Sequence, residues 1–394
     1  MHAVGLLLLQ RWRVEAYLLD WLTLLARWAH IVVGIAWIGA SFYFIWLDNH
    51  LEKAPDPKFA GELYAIHGGG FYRAQKYRLA PEPLPPTLHW FKWEAYWTWL
   101  TGFALLVLVY YVNPQLYLVD PAVLKLSSAA AIGIGLASLV AGLAVYEGLC
   151  RSPLARNEIL FSVILVAFLA LVAWALTRVF SGRGAFLHFG AILGTIMAGN
   201  VAHVIIPGQR EMVRAKQAGR VPDEVFSIRG KQRSVHNTYF TLPAIFAMIS
   251  GHHAMTYGSG WNWLVLLALG LAGALVRVWF VARHKGSAPA WTLGAAALLV
   301  AGSAAVLAPP RPSGQASFAD VKPVIEARCA SCHADQPTFQ GLGEAPKGVK
   351  LDSEERIRAQ AAQIRQTVRA RLMPPGNLTG LTDHERALLE QWNP

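Results

Sequence analysis

The chain has 394 residues, 54% hydrophobic and only 15% charged, with 35 Lys and Arg against 24 Asp and Glu for a net charge of +11. That composition excludes a disordered chain and an ordinary soluble domain, and it places most of the sequence in a bilayer. It also excludes a nucleic-acid surface, because ten basic and ten acidic residues balance from Phe318 onward and the excess lies in loops between apolar segments.

In chain order, apolar runs of roughly 20 residues, enough to cross a bilayer, fall near 21–46, 96–113, 129–149, 159–180, 186–207, 234–256, 261–282 and 290–308. They predict eight helical spans, the first long enough to tilt or project. The Leu6–Leu9 run is too short for a secretory signal core, so no cleaved leader is expected. Lys53, Lys58, Arg73, Lys76, Arg78 and Lys92 fall in the 1–2 loop, and Arg210, Arg214, Lys216, Arg220, Arg229 and Lys231 in the 5–6 loop. Arg151, Arg156 and Lys285 extend that pattern, against Arg11, Arg13, Lys125, Arg178 and Arg183 on the other side. The positive-inside rule makes the loops after odd spans cytoplasmic and puts both termini outside, in a bacterial inner membrane.

A stiff linker at 309–317 separates a membrane domain, 1–308, from a C-terminal domain, 318–394. There Phe318–Arg328 reads as a helix, Ser353 caps a second running to about Arg371, and Thr382-Asp383-His384-Glu385 is a capping box for a last helix ending at Trp392. Cys329-Ala330-Ser331-Cys332-His333 is the attachment pattern of a c-type haem: two thiols for the porphyrin vinyls and an imidazole for the iron. Zinc would want a second ligand pair, and the other cysteine, Cys150, is far upstream. Met373, in Leu372-Met373-Pro374-Pro375, is the expected sixth ligand, so His333 and Met373 would hold the iron. The expected fold is all-α: a polytopic eight-helix transmembrane bundle followed by a small class I-like cytochrome c domain.

Thirteen histidines include several at membrane depth, where ionisable groups are expensive and functional. His30, His188, His252 and His253 form an outer layer and His203 and His236 a cytoplasmic one. The outer layer would suit a haem b, with His30 and His252 as ligands, or hydrogen bonding between helices with no cofactor. On the cytoplasmic side, His67-Gly68-Gly69-Gly70-Phe71-Tyr72-Arg73 and His89-Trp90-Phe91-Lys92-Trp93-Glu94 mix glycines, flat rings, cations and titratable groups. The glycines would allow close approach of a ligand, and the mixture suits a planar anionic heterocycle.

These strings, with Ile206-Pro207-Gly208-Gln209-Arg210 and Arg229-Gly230-Lys231-Gln232-Arg233-Ser234-Val235-His236-Asn237, resemble the membrane urate oxidase family, which carries a C-terminal cytochrome c. The resemblance implies oxidation of urate to 5-hydroxyisourate, with electrons passing to cytochrome c rather than to oxygen. From the residues themselves, His67, His89 or Glu94 would act as base, Lys76, Lys92 and Arg73 would hold the anion, and Tyr72 or Trp90 would stack on it. Electrons would leave through the haem c to a periplasmic acceptor such as a soluble cytochrome or oxidase. Urate yields two electrons and one haem takes one, which argues for the haem b as a second centre. The rival reading is a non-catalytic membrane electron-transfer subunit.

Overall fold

The computed structural model describes residues 2–308, 316–339 and 342–393, apart from the side chains of 2–16, 254 and 376. The linker expected at 309–317 lies outside the described residues except for Ala316 and Ser317. The chain is 70% helix and 5% strand. Helix α1 spans His2–His50 and is followed by the hairpin β1 (Phe59–His67) and β2 (Gly70–Tyr77). Next come α2 (Trp93–Leu106), which runs on as a π segment at Val107–Tyr111, the short α3 (Pro114–Tyr117), α4 (Ser128–Arg151) and α5 (Glu158–Val179). Helix α6 (Gly182–Gly199) continues through a π segment, Asn200–Ile205, into α7 (Ile206–Gln217), and α8 is Glu224–Ile249. The short α9 (Ala254–Tyr257), α10 (Asn262–His284) and α11 (Ala290–Val306) complete the apolar part. Helices α12 (Phe318–Arg328), α13 (Glu354–Ala359), α14 (Ala361–Arg369) and α15 (Asp383–Gln391) form the C-terminal unit.

Helix starts follow local chemistry. The side chains of Ser127, Asn157, Ser181 and Asp223 accept from free N–H groups in the first turns of α4, α5, α6 and α8. Among the described residues, five helical stretches are long and apolar enough to cross a membrane: Tyr17–His50, Ser128–Arg151, Glu158–Val179, Gly182–Gln217 and Asn262–His284. The other three expected spans are also helical, at α2 with its π segment, at α8, whose first half is polar, and at α11, which is 17 residues long.

Helix α6 is the hub. It packs on α2, α4, α5 and α8, and 56% of the apolar window of Gly182–Gln217 is buried, against 6% for Tyr17–His50. Helix α1 accordingly turns large apolar side chains such as Trp28 and Ile35 outward, as a lipid-facing helix does. Close approach of α4 to α6 requires glycine. A Cβ on Gly142 would lie 2.5 Å from Ile192, and one on Gly135 would lie 2.7 Å from the His188 ring.

The structure corrects the all-α expectation: the 1–2 loop folds as an antiparallel hairpin, pairing Ile66 with Phe71 and Glu62 with Gln75. From Leu63 to Ile66 burial alternates along β1 as in a half-covered strand, while Gly61 and Glu62 are both buried next to an irregularity in the register. In the C-terminal unit the expected second helix is two helices. Gln360 leaves helical geometry and its N–H reaches back to Arg356 and Ile357 in a tightened turn. The capping box at Thr382–Glu385 forms, and a second one, Ser317–Asp320, starts α12.

Candidate functional site

The hairpin accounts for the glycines of the 67–70 stretch. Gly68 and Gly69 take φ of 56° and 82°, the two left-handed residues of a tight two-residue hairpin turn. A Cβ at either would meet nothing within 4 Å, so backbone conformation rather than crowding calls for glycine. His67 is exposed at the turn and Tyr72 is exposed on β2. Arg73 donates to Glu62 at 2.6 Å, and Gln75 donates to the same carboxylate oxygen at 2.9 Å. These bonds, Gln75 first and Arg73 next, hold the Glu62 carboxyl below the usual range. Lys76 donates to Asp48 at the end of α1 at 2.7 Å. Two cations expected to hold a substrate anion are therefore already compensated within the protein. The six steps from Gly70 to Lys76 span about 20 Å of strand, so His67 and Lys76 do not converge on one small ligand.

The second expected stretch is compact. His89 is exposed and packs edge-on to Phe91, with centroids 4.6 Å apart, and Phe91 packs on Phe44 of α1. Trp90 packs in a small cluster with Ala95, Val201 and Ile206. Lys92 lies 5.2 Å over the Trp93 ring. Glu94 is half-buried in the first turn of α2, where the helix dipole favours a carboxylate. His89, Lys92 and Glu94 thus share the start of α2, apart from the hairpin tip that carries His67 and Tyr72.

A buried polar layer joins α4, the π segment that follows α6, and α8. Arg233, 3% exposed, pairs with Glu147 at 2.8 Å and donates to the Asn200 side-chain oxygen at 3.3 Å. Asn200 Nδ2 donates to the Tyr146 hydroxyl at 3.0 Å and to Asn237 Oδ1 at 2.8 Å. Asn237 Nδ2 donates to the Met197 carbonyl at 3.0 Å. The Tyr146 hydroxyl, already accepting from Asn200, gives its own proton to His236 Nδ1 at 2.8 Å. That bond leaves the neutral ring's hydrogen on Nε2. His236 stacks on Phe161 at 5.0 Å, and Arg151 caps the other oxygen of Glu147 at 2.6 Å. Asn200 opens the π segment, a distortion that recurs at functional positions. Spacing carries a signal for this layer: Arg233, His236 and Asn237 stand at i, i+3 and i+4, a polar stripe on a helix facing the interior.

The outer-layer histidines find separate partners. His188 is fully buried, donates from Nδ1 to the Gly184 carbonyl at 2.8 Å and accepts the Tyr111 hydroxyl at Nε2 at 3.0 Å. His30 Nδ1 faces the Thr98 carbonyl and the Thr101 hydroxyl of α2, each at 3.1 Å. His252 lies in the turn after α8, exposed, beside Gln363, Gln366 and Thr367 of α14. His30 and His252 thus face different elements.

In the C-terminal unit the Cys332 and His333 N–H groups donate to the Cys329 carbonyl, which puts both thiols and the imidazole on one turn. His333 Nδ1 donates to the Val349 carbonyl at 2.9 Å. This fixes the tautomer whose Nε2 lone pair is free for iron. Burial pushes the Cys329 thiol up to about 11, which disfavours a thiolate. Among the described residues no three His, Cys, Asp or Glu side chains gather to hold a metal ion, so a zinc set does not form around this motif. Arg386, 6% exposed, donates to the carbonyls of Val368 at 2.6 Å and Met373 at 3.3 Å and pins the methionine loop. The turn after Met373, Pro375–Asn377, packs on α3 of the apolar part. With Cys329, Cys332 and His333 on one turn and the His333 Nε2 free, these residues fit a covalent haem.

A model of the urate oxidase N-terminal family matches residues 16–308. No curated protein and no solved structure matches the chain. With the match covering every apolar helix and the buried layer between them, the chain belongs to the urate oxidase N-terminal family.

Proposed function

We propose that the chain is a membrane urate oxidase with eight spans and both termini periplasmic, which oxidises urate to 5-hydroxyisourate and passes the electrons to a C-terminal haem c. The observation that carries this reading is the family match over 16–308 in one chain with the Cys329–His333 motif. Urate and one water give 5-hydroxyisourate, two electrons and two protons, so the protein must remove both electrons and protons from one small molecule. Cys329 and Cys332 would hold a haem whose iron His333 would ligate; bound there, it would supply a one-electron acceptor for delivery to a periplasmic cytochrome or oxidase. The side chains do the rest. On the cytoplasmic side, His89 or Glu94 at the start of α2 takes the proton of the anion. The Tyr146–His236 pair offers a proton acceptor in the buried layer, and Asn200, Arg233 and Glu147 hold it in place. A second one-electron centre in the membrane domain is this reading's answer to the second electron, and His30 and His252, which face different elements, do not form a ligand pair for it.

Anaerobic titration tests it. Urate added to oxidised full-length protein reduces the haem c. An endpoint of one urate per haem c means a second one-electron acceptor in each chain, whereas half a urate means none. No reduction by urate in protein of full haem content sinks the enzyme reading. The alkaline pyridine spectrum separates haem b from haem c, and Cys329→Ser with Cys332→Ser abolishes the covalent haem stain on denaturing gels.

A further inference from the structure

Arg277 on α10 is 5% exposed, and its Nε and Nη2 are buried without a hydrogen-bond partner. Among the described residues no carboxylate pairs with it. Arg233, equally buried, has Glu147 at 2.8 Å. A buried, uncompensated guanidinium at membrane depth is expensive and calls for an anion that accepts two parallel N–H bonds. Its surroundings are flat. The guanidinium carbon lies 3.7 Å from the centroid of the Phe42 ring of α1, and Tyr239 of α8 is within electrostatic reach. One level nearer the cytoplasm, the rings of His50 and His284 lie 4.9 Å apart, and Trp46 packs on His50 at 4.8 Å. His50 Nδ1 bonds the Trp46 carbonyl at 2.8 Å, while His284 Nδ1 is buried without a partner. Three unpaired donor or acceptor atoms thus occur on one face of α10, seven residues apart, between aromatic side chains.

We infer that Arg277 and His284, beside Phe42 and His50, hold the charged edge of the planar anionic substrate, an assignment that rests on the urate reading above. It takes over the role that spacing alone suggests for Lys76 and Lys92, which are engaged by Asp48 and Trp93. A lipid phosphate offers the same oxyanion chemistry. Seven residues of helix set Arg277 about 10 Å below His284, and its burial from the lipid side favours a small flat ligand over a headgroup.

Equilibrium dialysis against radiolabelled urate tests the site in full-length protein, held anaerobic with haem pre-reduced, in nanodiscs of zwitterionic phospholipid. The wild type binds. Arg277→Gln raises the dissociation constant about 30-fold or more, and Arg277→Lys, which keeps the charge and loses the fork, raises it less. Arg283→Gln removes the exposed neighbouring charge over Trp279 and stays within about twofold. Haem content and melting temperature report whether each variant is folded. If Arg277→Gln does not fold, Phe42→Leu and His284→Gln take its place, each weakening binding about fivefold or more. Urate binding to the wild type with equal binding to the folded variants overturns the site and leaves the enzyme reading standing. No urate binding to the wild type, with no haem reduction by urate, overturns both. Unchanged urate binding with loss of co-purifying anionic phospholipid in Arg277→Gln assigns the donors to a lipid headgroup and overturns the substrate site.

Discussion

The hairpin and the buried layer use the same chemistry at different depths. On the hairpin, Arg73 meets Glu62 at 2.6 Å with its side chain 47% exposed; in the layer, Arg233 meets Glu147 at 2.8 Å with its side chain 4% exposed. In water the first pair adds little, because solvent screens it and free side chains resist being fixed. In the interior the second pair is held only because each charge has a partner, and removing one strands the other. An Arg–Glu pair at the surface is therefore consistent with mere structure, whereas one at membrane depth implies a task that repays its desolvation.

The sharpest break of this contrast is Arg233→Ala. It leaves Glu147 with only the exposed Arg151 as partner and Asn200 Oδ1 without its donor, and lowers stability by about 3–5 kcal/mol, read as the melting temperature of the full chain in nanodiscs. Arg233→Met combined with Glu147→Leu melts above either single variant, because the pair is then removed rather than broken. His236→Phe comes next, losing about 1–3 kcal/mol by leaving the Tyr146 hydroxyl proton without an acceptor. Gly69→Ala must hold alanine at a φ of 82° and loosens the hairpin by about 1–2 kcal/mol, visible as faster amide exchange confined to 59–77.

The smallest effect is the pH response of the hairpin. The Glu62 carboxyl is held below its ordinary 4.5, so its contribution is full above that value and lost as the pH falls through the lowered native value. Amide protection of β1 and β2, corrected for intrinsic exchange, drops on acidification in the wild type and becomes flat with pH in Glu62→Gln.

Much of this was legible from one-dimensional pattern. Apolar length located the helices, and the side chains of Ser353 and Thr382 start α13 and α15 as their spacing implies. Cys329–His333 has the spacing of a haem attachment, and the fold puts both thiols and the imidazole on one turn. The hairpin was written in two adjacent glycines between β-rich segments, but glycine also suits a ligand loop, and only the backbone angles separate the two. The buried layer was harder. Tyr146, Asn200 and His236 come from three helices, and no local pattern says which helices meet. Arg277 is a lone arginine in an apolar span, and its significance lies in the carboxylate that does not accompany it.

The π segment at Asn200–Ile205 bears on how the chain tolerates changes in length. A π turn carries one residue more than an α turn. Deleting one residue elsewhere in the Gly182–Gln217 stretch would rotate all that follows by about 100°. Deleting one within 200–205 would instead restore an ordinary helix and swing Asn200 away from Tyr146 and Asn237, with the upstream packing on α4 untouched. The extra residue of the π segment thus matters, beside the Asn200 side chain itself, for whether the three helices are joined by hydrogen bonds at that level.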